Sequence, residues 1–185
     1  MSLTIRINPL DPDSIDKAVR DLAEYRKKLN ARITKFTAAL AEIGRQRAEE
    51  RFASAEYDGN NDVRVTADET ENGWVINADG AAVCFIEFGA GIHYNTSNAN
   101  YPANRPLGLS EIGTYGKRHG SEDSWKFIDE TGLAETKGGG KMITTKSGQT
   151  LIITHGNPAF MPMYYASNLM RQEIVKLAKE IFSDA

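Results

Sequence analysis

A chain of 185 residues with 41% hydrophobic and 25% charged residues has the composition of one soluble globular domain, long enough to bury a core without staples. Lys and Arg number 22 against 25 Asp and Glu, a net charge of −3, so no broad positive field is available to hold nucleic acid and only a local, nonspecific DNA contact stays open. The single cysteine, Cys84, excludes an intrachain disulfide and a multi-cysteine zinc site, and no apolar run approaches the roughly 20 residues of a membrane-spanning helix.

The opening MSLTIRINPLDPDS lacks a basic segment followed by an apolar run, so no signal peptide is expected, and folding is expected in a cytoplasm. Leu3, Ile5 and Ile7 alternate with polar residues, which predicts a short edge strand ended by Asn8 and Pro9. Asp11, Pro12, Asp13 and Ser14 supply cap candidates and an early proline, the signs of a helix start. The helix is predicted over about 13–57, a span without proline and with Gly44 as its one glycine. Leu22, Leu29, Phe36 and Ile43 recur at heptad spacing, with Val19, Ile33 and Leu40 in the companion row and Arg26 interrupting it. Such a helix reaches roughly 60 Å, longer than a compact domain of this size. Two readings follow: a core helix along its own sheet, bent near Gly44, or a helix whose outer half packs on another subunit.

Val63, Val65 and Ala67 alternate with Arg64, Thr66 and Asp68, predicting a half-buried strand. Asn72-Gly73 and Asp79-Gly80 are two-residue turn signals before Trp74-Val75-Ile76 and before Ala82 to Phe88. Together they predict an antiparallel meander whose last strand, AVCFIEF, is almost wholly apolar and stops at Gly89. Glu87 is the one charge in that strand. Its neighbours predict partial burial and hence a hydrogen-bonded, structural carboxylate rather than a catalytic one.

Periodicity disappears from Gly89 to Ser121, a stretch rich in Gly, Asn, Pro and Tyr. A loop of this length inside a compact domain is unusual and tends to be functional or disordered. Ile92, Tyr94, Tyr101, Leu107, Leu109, Ile112 and Tyr115 give it apolar surface to bury, so an insertion over about 89–122 is expected to order against its own domain or a neighbouring subunit. Trp125 to Ile128 reads as a strand, and Met142 to Thr145 with Gln149 to Ile153 as a hairpin about Lys146-Ser147-Gly148. Pro162 marks the start of a last helix over about 162–183, with Ala166, Met170, Ile174, Leu177 and Ile181 on one face. The fold class is α+β, with both helices packed on a largely antiparallel sheet (about 62–88 and 124–154) in a single domain.

No catalytic constellation is coherent. Gly138-Gly139-Gly140-Lys141 is followed by Met142 where a phosphate loop needs Ser or Thr, and Glu135 stands at its first glycine position. His93, His119 and His155 form no local metal pair, although His93, His119, Glu87, Glu111 and Asp123 are the residues that would have to converge for a metal or hydrolytic site. Cys84, within a predicted strand, is a poor candidate nucleophile. Lys117, Arg118 and His119 form a small basic cluster beside Tyr115. The expectation is a protein without catalytic residues, cofactor or metal, acting through surface and shape.

Three motifs carry a resemblance: FIEFGAG at Phe85 to Gly91, IGTYGKRHG at Ile112 to Gly120 followed by Trp125, and THGNPAFMPMYYA at Thr154 to Ala166 leading into the last helix. Together with the long first helix, they resemble the tail-component, or tail-completion, family of long-tailed bacteriophages and prophages, the group similar to tail protein Z of phage lambda. The resemblance implies a structural neck protein at the head-proximal end of the tail, present in the virion and, during assembly, in the bacterial cytoplasm. It implies copies in a ring, joined to neighbouring tail and connector proteins, with no membrane. Candidate interface residues are Arg26, Ile33 and Leu40 on the first helix and Ile92, Tyr94, Tyr101, Leu109, Ile112, Tyr115, Lys117 and Arg118 in the loop. Two other readings are a tail-terminator or head-closure protein of the same region, and an enzyme with its site in the 89–121 loop.

Overall fold

The computed structural model describes residues 4–8, 10–91 and 124–183. The elements are α1 (Pro12–Ala53), β1 (Asp58–Gly59), β2 (Arg64–Thr70), β3 (Gly73–Asp79), α2 (Val83–Phe88), β4 (Trp125–Ile128), β5 (Glu135–Thr136), β6 (Lys141–Thr144), β7 (Thr150–Thr154) and α3 (Pro162–Phe182). The class is α+β: a long first helix, a last helix and antiparallel pairs of strands.

α1 begins where its local chemistry places it. The Asp11 carboxylate accepts from Asp13 N at 3.1 Å, Pro12 occupies the first turn, and Ser14 Oγ donates to the Asn8 and Asp11 carbonyls. At the other end Asn61 Nδ2 donates to Phe52 O at 2.8 Å, satisfying one of the carbonyls a helix leaves open. The 42 residues between run unbroken through Gly44. A side chain at Gly44 would overlap Met170 Sδ and lie 2.5 Å from Ile76 Cδ1. That glycine therefore serves close approach of α3 and β3 to the helix.

α3 lies antiparallel on the carboxyl half of α1. Arg51 meets Tyr165, Gly44 faces Met170, and Phe36 packs against Phe182 with ring centroids 5.9 Å apart. The core forms around this half: Ala48, Phe52, Ala55, Val65, Ala82, Ile86 and Ala166 are buried together, flanked by Tyr57, Ile76, Phe160 and Met163.

Among the described residues the strands form three small sheets rather than one. β2 and β3 pair as the hairpin turned by Asn72-Gly73, with Val65 opposite Ala78 and Ala67 opposite Ile76. β7 lies between β4 and β6, both antiparallel to it, with Phe127 and Met142 opposite Ile152. β1 and β5 make a two-residue bridge. Residues 4–8 carry no regular structure, so the edge strand predicted over Leu3 to Ile7 does not form among them.

The largest departure from the sequence reading is at 82–88, expected as the last strand of a meander and observed as the short helix α2. A continuous apolar run suits a buried strand or a buried helix equally. Here distant groups decide. The Asp62 carboxylate accepts from Ala81 N at 2.9 Å and Ala82 N at 3.0 Å, capping the helix start. Gly89, at φ +77°, ends it in a left-handed conformation that side-chain-bearing residues avoid.

Candidate functional site

α2 is capped by the strap that leads into α3, and α3 is capped in turn by α2. The last carbonyls of a helix lack internal partners, and in α2 they belong to the FIEFGAG motif. Phe85 O accepts from Asn157 Nδ2 at 2.8 Å, Ile86 O from Phe160 N at 2.9 Å, and Glu87 O from Met161 N at 3.3 Å. Ala90 N closes the same ladder by donating to Asn157 O at 2.9 Å. All these partners come from the THGNPAFMP motif, which runs beside α2 as a strap. Two of the three motifs singled out in the sequence are thus two sides of one clasp; the third, Ile112 to Gly120, lies outside the described residues.

In return Glu87 caps α3. Its carboxylate accepts from Met163 N at 2.9 Å and Tyr164 N at 3.2 Å, at the positive end of the helix. The residue that precedes α3, Met161, has no side-chain oxygen to offer and sits in the left-handed region at φ 50°, so the cap comes from across the fold. Burial pushes the Glu87 carboxyl above its usual range, opposed by the two backbone donors and by the Arg51 charge. Arg51 ties the strap to α1: Nη2 donates to Phe160 O at 2.6 Å, and the guanidinium stacks 3.9 Å above the Tyr165 ring. These contacts make Glu87 structural. Burial also raises the Cys84 thiol, with the nearby Glu87 charge adding to it, an environment that disfavours the reactive thiolate.

The glycine run 138–140 has an equally local explanation. Asp58 is buried, and its carboxylate accepts from Gly138 N at 2.7 Å and from Thr154 Oγ1 at 2.6 Å. Side chains at Gly138 and Gly140 would meet that carboxylate at 3.0 and 2.6 Å. The glycines let the loop fold onto Asp58, while Thr154 Oγ1 passes the network on by accepting from Gly156 N at 2.9 Å. Tyr57, beside Asp58, is pushed up to about 12 by burial, with the Asp62 and Asp58 charges adding to it. Asp58, Asp62 and Asn157 were missed as organising residues by sequence reasoning, although Asp58 precedes Gly59 and Asn157 precedes Pro158.

The remaining feature is an overhang. Phe36 stands opposite the last residue of α3, so the 24 residues of α1 before it, about 36 Å of helix, run past the end of α3. Most of their apolar stripe is exposed, Ile15 at 45%, Val19 at 62%, Leu22 at 53% and Ile33 at 45%, while Leu29 is half-buried. Of the sequence-predicted interface residues, Arg26 and Ile33 lie exposed on this overhang, whereas Leu40 is half-buried in the stretch lined by α3. Ile92, Tyr94, Tyr101, Leu109, Ile112, Tyr115, Lys117 and Arg118 lie outside the described residues, as do His93, Glu111, His119 and Asp123. Among the described residues, no three His, Cys, Asp or Glu side chains gather closely enough to hold a metal, and no helix is long and apolar enough to cross a membrane.

No protein family, curated protein or solved structure matches the chain.

Proposed function

We propose that this chain is a structural virion protein of a phage or prophage, placed at the head-proximal end of the tail, where it takes part in tail completion and head–tail joining. The observation that carries the reading is the division of α1. Its carboxyl half is built into a core, and its amino half displays a row of large apolar side chains. Exposed apolar surface arranged in a row marks a place where other chains dock. The clasp supports the same reading, because the strap that caps α2 and leads into α3 is also bound by Arg51 of α1, which ties the two long helices together as a building block requires. The three motifs resembling the tail-completion family are what favour the neck as its location. Its partners are further copies in a ring and the adjoining tail and connector proteins.

The test is disruption of the gene in the phage or prophage that carries it, with particles examined by electron microscopy and mass spectrometry. The expected result is heads and tails that accumulate unjoined, joining restored when the gene is supplied in trans, and the chain detected in purified wild-type particles. Normal infectious particles from the disrupted strain, or particles without the chain, would overturn the proposal.

A further inference from the structure

The overhang of α1 carries two patterns with a common centre. Ile15, Val19, Leu22, Arg26, Leu29 and Ile33 follow one another at alternating spacings of four and three. This set is symmetric about Glu24: Ile15 and Ile33 lie equally far from it, as do Val19 and Leu29, and Leu22 and Arg26. The charges are divided at the same point. From Asp11 to Glu24 there are five acidic residues (Asp11, Asp13, Asp16, Asp21, Glu24) against two basic ones, Lys17 and Arg20. From Tyr25 to Lys35 there are five basic residues (Arg26, Lys27, Lys28, Arg32, Lys35) and no acidic one.

A surface that is symmetric in shape and opposite in charge about its midpoint fits a second copy of itself turned end for end. We propose that two copies of this chain pair through the overhang as an antiparallel helix pair, about a two-fold axis near Glu24. A two-fold contact requires that residue i of one copy meet residue j of the other and the reverse. Here that condition brings Ile15 onto Ile33, Val19 onto Leu29 and Leu22 onto the stem of Arg26, whose charged head reaches water. It sets the acidic half of each helix beside the basic half of the other, whereas a parallel pair sets like beside like.

The length of the overhang fits the same register. With Glu24 at the centre, Pro12 of one copy falls level with Phe36 of the other, where α3 ends at Phe182. α3 runs antiparallel to α1, and so does the second copy's helix, so the incoming helix covers α1 from the point where α3 stops. The two bodies then lie at opposite ends of the pair, clear of each other. This pairing does not depend on the virion reading. A two-fold pair closes on itself and is a state of the free protein, whereas a ring uses head-to-tail contacts.

The test uses the full chain in a Cys84→Ser background. Ile15→Cys and Ile33→Cys variants are prepared separately, mixed and oxidised, and the products separated without reductant. The expected result is a cross-linked dimer in the mixture, in about tenfold excess over either variant alone. Sedimentation of the wild-type chain is expected to show a dimer that dissociates on dilution and with added salt. Val19→Glu with Leu22→Glu, both exposed in the single chain, is expected to weaken it by at least about tenfold. Both positions lie on the overhang, so circular dichroism of the dilute variant should match wild type. A cross-link formed by Ile15→Cys with itself, showing a parallel pair, would overturn the proposal. So would a wild-type monomer at all concentrations, the result expected if residues 92–123 of the same chain or a different protein covers the stripe. An oligomer that survives the double glutamate variant would also overturn it.

Discussion

The two halves of α1 share one heptad stripe and occupy different surroundings. From Phe36 onward the helix carries Ala41, Gly44, Ala48 and Phe52 as buried residues, three of them small. Small side chains let α3 and β3 approach the backbone, and Phe52 fills the space beyond them. Before Phe36 the same periodicity is made of Ile15, Val19, Leu22 and Ile33, large and exposed, with Leu29 half-buried and Ala18 buried beside them. Apolar spacing thus identifies a face that seeks a partner, and the size of the residues beside it indicates whether that partner is the rest of the chain.

Substitutions in the two halves should separate sharply. Phe52→Ala empties a fully enclosed site and is expected to cost about 3–5 kcal/mol, read as a lower urea midpoint with an unchanged slope. In the clasp, Glu87→Ala leaves the Met163 and Tyr164 amides without their carboxylate and is expected to cost about 2 kcal/mol by the same measurement.

Acid should act on the clasp in one direction. Because burial raises the Glu87 pKa in the folded state, the folded protein holds this proton more tightly than the unfolded chain does. The associated stability is fully present below the unfolded value of 4.5 and is lost as pH rises through the folded value. The unfolding free energy of wild type relative to Glu87→Gln should therefore fall as pH rises across that window. A difference that rises instead would show the two backbone donors and Arg51 outweighing burial.

The smallest effect is expected at Leu22→Ser on the overhang. Measured at a dilution where copies are separate, it should change unfolding by no more than about 0.5 kcal/mol. A cost comparable to Phe52→Ala would mean that this half of α1 is part of the folded core, and the distinction between the halves would fail.

What was legible in the sequence was what short-range chemistry determines. Asp11 and Pro12 start α1, Asn72-Gly73 turns the β2–β3 hairpin, Lys146-Ser147-Gly148 turns β6 into β7, and Pro162 opens α3. The segment 82–88 was not legible because its caps come from Asp62 and Asn157, and the second of these is 72 residues from the carbonyl it satisfies. Division into three sheets was hidden for a similar reason. The bridge of β1 to β5 joins Asp58 to Thr136, and no turn signal can encode so distant a pairing. At the candidate site, the structural role expected of Glu87 agrees with the geometry, but its specific task depends on where the start of α3 comes to rest.

The most direct test of the division is hydrogen exchange on the full chain at two protein concentrations, resolved along α1. Amides from Phe36 to Phe52 should be protected to the same high degree at both concentrations, whereas those from Ile15 to Ile33 should exchange far faster when dilute and gain protection when concentrated. Equal protection along the whole helix, independent of concentration, would contradict the account.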